Sequence, residues 1–84
     1  MTGKVFTKIF NIINAKVAFV ISRYPDDETQ INDWYLQLLV DIKSGDVIHY
    51  VDFLTLLISW LEQKEDYVMC ADLFKLKNKI EKWI

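Results

Sequence analysis

The sequence predicts an all-α fold, a compact bundle of four helices in a single domain over 1–84. Three observations lead there. Apolar residues recur at three- and four-residue intervals over most of the chain, as in helices that bury one face. Pro25 and Gly45 fall between the apolar stretches and never inside one. The one strand-like segment, 15–21, would have no second strand to pair with. The helices are expected at about 4–23, 27–43, 47–63 and 66–83, joined by short connections that favour antiparallel neighbours.

The first helix places Val5, Phe6, Ile9, Phe10, Ile13, Val17, Val20, Ile21 and Tyr24 on one broad face. Thr7, Asn11, Asn14 and Ser22 lie opposite, with Lys4 and Lys8 beside them, and Ile12 and Phe19 widen the apolar side. Segment 15–21 is rich in β-branched and aromatic residues, so a strand competes with helix there. Pro25 pushes Tyr24 out of the helical region and ends the element. In the second helix, Asp27 and Gln30 have capping-box spacing, and Asp26, Asp27 and Glu28 suit the positive end of the macrodipole. Ile31, Trp34, Tyr35, Leu38, Leu39 and Ile42 form its main face. Leu36 and Val40 lie on the other side, so more than one face is apolar. Gly45 suits the left-handed residue that closes a helix.

The third helix carries the longest apolar run, Val51–Leu61. Asp52, Thr55 and Ser59 interrupt it along one narrow side, so it should be covered nearly all round and form the centre. Asp46 is its expected cap. The fourth helix opens near Glu65-Asp66, with Met69, Leu73, Leu76, Ile80 and Trp83 on one stripe widened by Cys70 and Phe74. Lys75, Lys77, Lys79 and Lys82 gather toward its C-terminus, where cations complement the dipole. The run Glu65-Asp66-Tyr67-Val68-Met69-Cys70-Ala71-Asp72-Leu73 resembles the opening half of the UVR motif, in its acidic-aromatic start, its small pair Cys70-Ala71 and Leu73. That resemblance implies a helical-hairpin module for protein–protein contact. The motif's Arg-Asp pair would fall at Phe74-Lys75, where this chain departs from it.

Function is less legible than fold. In a chain of 84 residues, 52% are hydrophobic and 14% aromatic. A domain this small buries only about 60–65% of its unfolded surface, so some apolar side chains are expected outside as an interface. The net charge of −2 argues against wholesale nucleic-acid binding. The single cysteine, Cys70, permits no internal disulfide and reads as a buried structural thiol. The N-terminal stretch does not read as a secretory leader, and no uninterrupted apolar run reaches a membrane span, so a cytoplasmic location is expected. His49 stands alone without a nucleophile and orienting partner, the acidic 26–28 cluster lacks calcium-loop spacing, and no glycine-rich phosphate loop occurs.

The expectation is therefore a non-enzymatic regulator, inhibitor or adaptor of phage or plasmid type. It would act as a homodimer or by docking on a larger protein, with no cofactor, metal, small-molecule substrate or membrane partner. Trp34, Tyr35, Trp60, Phe19 and Ile12 are the candidate interaction residues, since aromatic side chains dominate interface hot spots. The alternative is a nucleic-acid-binding regulator using Lys75, Lys79 and Lys82 on one face of the last helix.

Overall fold

A computed structural model describes residues 3–83 and shows four α-helices: α1 (Gly3–Arg23), α2 (Glu28–Asp41), α3 (Ile48–Gln63) and α4 (Tyr67–Glu81). Short 3-10 turns at Pro25–Asp27 and Ile42–Ser44 flank α2, and the described residues contain no strand. The fold is all-α, with four helices at the expected places. The chain divides into two compact units, Met1–Gly45 and Asp46–Ile84.

In the first unit, α1 runs unbroken to Arg23, so segment 15–21 is helix. Ile9, Ile13, Val17 and Val20 are buried, one per turn. Val5, Phe6, Phe10, Ile21 and Tyr24 of the expected face are half-buried at its margins. The chain leaves α1 at Tyr24, whose N–H still donates to the Val20 carbonyl at 3.0 Å, and Pro25 opens the 3-10 turn. The capping box expected from Asp27 and Gln30 does not form. Asp27 occupies the N-cap of α2 with ψ 11, and its side chain makes no capping hydrogen bond. A capping residue is usually extended, and the preceding 3-10 turn holds Asp27 away from that conformation. In α2 only Ile31 and Leu38 of the expected face are fully buried. The helix closes as predicted, with Gly45 at φ 81 donating its N–H to the Ile42 carbonyl at 2.9 Å.

The second unit is a helical hairpin in which α3 and α4 pack along their lengths. Asp46 caps α3 from just outside it, its carboxylate accepting the Ile48 N–H at 3.0 Å. Tyr50, Val51, Phe53, Leu54, Leu57, Ile58 and Leu61 are buried, while Asp52, Thr55 and Ser59 face solvent as their spacing predicts. The cover is less complete than the apolar run suggests, because Ile48 and Leu56 are also exposed. From α4, Met69, Cys70, Leu73, Leu76 and Ile80 are buried. Phe74, expected to widen that stripe, is 52% exposed instead, and Trp83 is half-buried.

The α3–α4 turn is closed by two hydrogen bonds. Asp66 N–H donates to the Leu61 carbonyl and Glu65 N–H to the Glu62 carbonyl, both at 3.0 Å. That is the Schellman pattern, and it requires a left-handed residue at Glu65, which sits at φ 61. Asp66 then starts the next helix, its buried carboxylate accepting the Met69 N–H at 3.2 Å. A non-glycine residue in the left-handed region costs roughly 1–2 kcal/mol. Glu65→Gly is therefore expected to stabilise the protein by about 1 kcal/mol, part of the relief being offset by the freer unfolded chain. Thermal unfolding should register a rise of about 4–8 °C.

Candidate interaction surface

The most apolar exposed face lies on α4. Its buried stripe leaves the opposite side to solvent, where Tyr67, Val68 and Phe74 are 65%, 82% and 52% exposed. Exposed Ala71 lies between them, one turn from Tyr67 and from Phe74. The same face continues toward the helix C-terminus as exposed Lys75, Lys79 and Lys82. Exposed Asp72 lies on the same side between Val68 and Lys75, so the face carries both signs of charge beside its apolar residues. Lys77 stands off to the side, its Nζ 5.9 Å from the Phe74 ring centroid and 4.0 Å from the Glu81 carboxylate.

A second exposed apolar pair lies on α2. Leu36 and Val40, one turn apart, are 57% and 59% exposed. Exposed Asp33 precedes them on the same side, and exposed Asp26 and Glu28 lie near the start of the helix. On this side a single acid, Asp33, precedes the apolar pair.

Of the five candidate residues named from sequence, Phe19 is exposed, while Ile12, Trp34, Tyr35 and Trp60 are half-buried. Phe19 and Ile12 sit on α1, Trp34 and Tyr35 on α2, and Trp60 on α3. Burial raises the Tyr35 phenol above its ordinary pKa. Lys64 holds its Nζ 5.2 Å from the Trp60 ring centroid, so a cation covers part of that indole. The residues that sequence reasoning left out are Tyr67, Val68 and Phe74. Their signal was available: on a helical wheel all three lie away from Met69, Leu73 and Ile80.

Among the described residues, no three His, Cys, Asp or Glu side chains come together to hold a metal ion. His49 is half-buried in the first turn of α3. Cys70 is buried, and its Sγ–H donates to the Ile58 carbonyl at 3.5 Å. Burial first, then the charges of Glu62 and Asp66, push its thiol above the ordinary value, which opposes the nucleophilic thiolate. By length and composition alone, Lys4–Arg23 could cross a membrane. Lys8, Asn11, Asn14 and Lys16 break its apolar run without lowering its mean hydropathy enough to remove that property. Set against models of known protein families, characterised proteins and solved structures, the chain matches none.

Proposed function

We propose that this protein is a small non-enzymatic interaction module that binds a protein partner through the exposed α4 face. One observation carries the reading: Tyr67, Val68 and Phe74 stand exposed on one side of a helix whose other side is buried. Leaving three large apolar side chains in water at neighbouring positions forgoes roughly 1.5–3 kcal/mol each, which a partner surface would recover in part. The regulator, inhibitor or adaptor role expected from sequence belongs to this reading, and so does the resemblance of Glu65–Leu73 to an interaction motif. That segment forms the α3–α4 turn and the first half of α4.

The test is capture of host proteins on immobilised wild type and on a Val68→Ser, Phe74→Ser variant, followed by intact-complex mass measurement. A defined partner that the wild type retains and the variant loses is the expected result. Equal capture by both would remove α4 from the interface. A second reading has its own observation, the exposure of Lys75, Lys79 and Lys82 beside Tyr67 and Phe74. Cations flanked by aromatic rings suit a nucleic-acid strand. Under that reading, duplex or single-stranded binding falls steeply with salt, and Lys75→Ala weakens it equally for all sequences.

A further inference from the structure

We infer that α1 docks on a membrane surface rich in anionic lipid, lying along the interface with one flank against it. This surface is separate from the α4 face, and it stands whether or not α4 binds a protein. It departs from the expectation of no membrane partner, which came from the lack of an uninterrupted apolar run.

Charge is divided unevenly along the chain. The segment Gly3–Arg23 holds Lys4, Lys8, Lys16 and Arg23 and no acid, whereas all twelve acids follow it with the remaining six of the ten basic residues. The cations are also ordered on the helix. Val5, Lys8, Ile12, Lys16, Phe19 and Arg23 succeed one another at three- and four-residue steps, so they form one stripe along a flank of α1. Apolar and cationic residues alternate within it. Phe19 is 51% exposed, Lys8 and Arg23 are exposed, and Val5, Ile12 and Lys16 are half-buried. The stripe runs beside the buried residues Ile9, Ile13, Val17 and Val20, so a surface can meet it without unpacking them.

Two properties favour lipid as the occupant. By length and composition α1 could cross a bilayer, yet only 22% of its apolar window is buried. A helix whose apolar residues served the protein interior alone would be mostly buried. Lys8 and Lys16 interrupt the window and oppose a crossing. At the interface the same residues attach the helix: their apolar stems lie beside Ile12 and Phe19 while the ammonium groups reach headgroup phosphates. Nucleic acid fits less well, because Val5 and Ile12 carry no ring on which a base can stack. Arg23 lies 6.0 Å from the Tyr24 ring centroid, and Asp26, Asp27 and Glu28 follow it closely in sequence. Those acids offset charge at that end of the stripe, so Lys8 and Lys16 are the cations to test.

Co-sedimentation of the whole chain with vesicles is the experiment, with circular dichroism confirming that each variant is folded. The protein is expected to bind vesicles of equimolar phosphatidylcholine and phosphatidylserine, to bind pure phosphatidylcholine about tenfold less, and to be released by high salt. Lys8→Gln with Lys16→Gln should weaken binding about 25-fold, near fivefold for each cation. Phe19→Ser should weaken it about tenfold through lost apolar contact. Lys43→Gln with Lys64→Gln removes the same charge outside α1 and should change binding about twofold or less. No binding to the anionic vesicles at low salt overturns the inference, as does equal binding to both vesicle types. Equal losses for the two lysine pairs would reduce the effect to net charge and overturn it as well. Wild type that ignores vesicles but binds duplex DNA or an acidic protein, with loss on Lys8→Gln and Lys16→Gln, assigns the stripe to that partner and also overturns it.

Discussion

Leu57→Ala is expected to destabilise the protein by about 2–5 kcal/mol, and the adjacent Leu56→Ala by no more than about 0.5 kcal/mol. Leu57 has no exposed surface, whereas Leu56 is 44% exposed. Both sit in the middle of α3, so helix propensity acts on them alike, and leucine and alanine are both strong helix formers. What differs is the side of the helix. Removing the Leu57 side chain loses its transfer free energy and opens a cavity among packed neighbours, while Leu56→Ala only trims surface. Small domains have about 5–15 kcal/mol in total, so Leu57→Ala takes a large part of it. Urea unfolding of both variants, with an unchanged m-value, is the measurement. Equal losses would show that α3 is covered all round, as its apolar run alone suggests.

That contrast marks how far the sequence carries. Helical spacing located all four helices because each keeps an apolar stripe over several turns, and the strip Asp52, Thr55 and Ser59 showed the open side of α3. Periodicity gives the direction of the buried face but not its width. Leu56 and Ile48 lie next to that polar strip, and they are outside because coverage ends there. Hydrophobicity alone predicts Phe74 inside, although its position turns it from the stripe of Met69, Leu73 and Ile80, and it is exposed. Local chemistry is legible at some positions and not at others. Gly45 could be assigned because a left-handed closing residue has one obvious candidate. Glu65 could not, since nothing in a glutamate announces a positive φ, and only the hydrogen bonds of the turn impose it. The interaction surface suffered from the same gap. Residue type points to the tryptophans, yet Trp34 and Trp60 are half-buried, and the exposed apolar residues are mostly aliphatic or lie on α4.

The largest effect is expected in α1. Ile13→Asp should unfold the protein at room temperature, with a loss above about 4 kcal/mol, while Ala15→Asp should cost about 0.5 kcal/mol. Ile13 is fully buried and Ala15 is exposed, although only one residue separates them. A carboxylate at position 13 loses its water and gains no partner of opposite charge within the apolar stripe of Ile9, Val17 and Val20. At position 15 it stays in solvent beside Lys16 and pays only the lower helix propensity of aspartate. The pair also bears on the length and apolarity of Lys4–Arg23. Across a bilayer both positions lie near the middle of the helix, and an aspartate there costs about 2.5–3.5 kcal/mol whichever way it points. A helix that buries one stripe in protein distinguishes the two positions, and a helix surrounded by lipid does not. Circular dichroism melts in aqueous buffer, with partition of both variants into phosphatidylcholine vesicles alongside, read out the difference. Unfolding by Ile13→Asp with tolerance of Ala15→Asp identifies α1 as a structural helix of its unit. Folded protein with both substitutions in buffer, together with loss of vesicle binding by both, would identify it as a lipid-seeking segment.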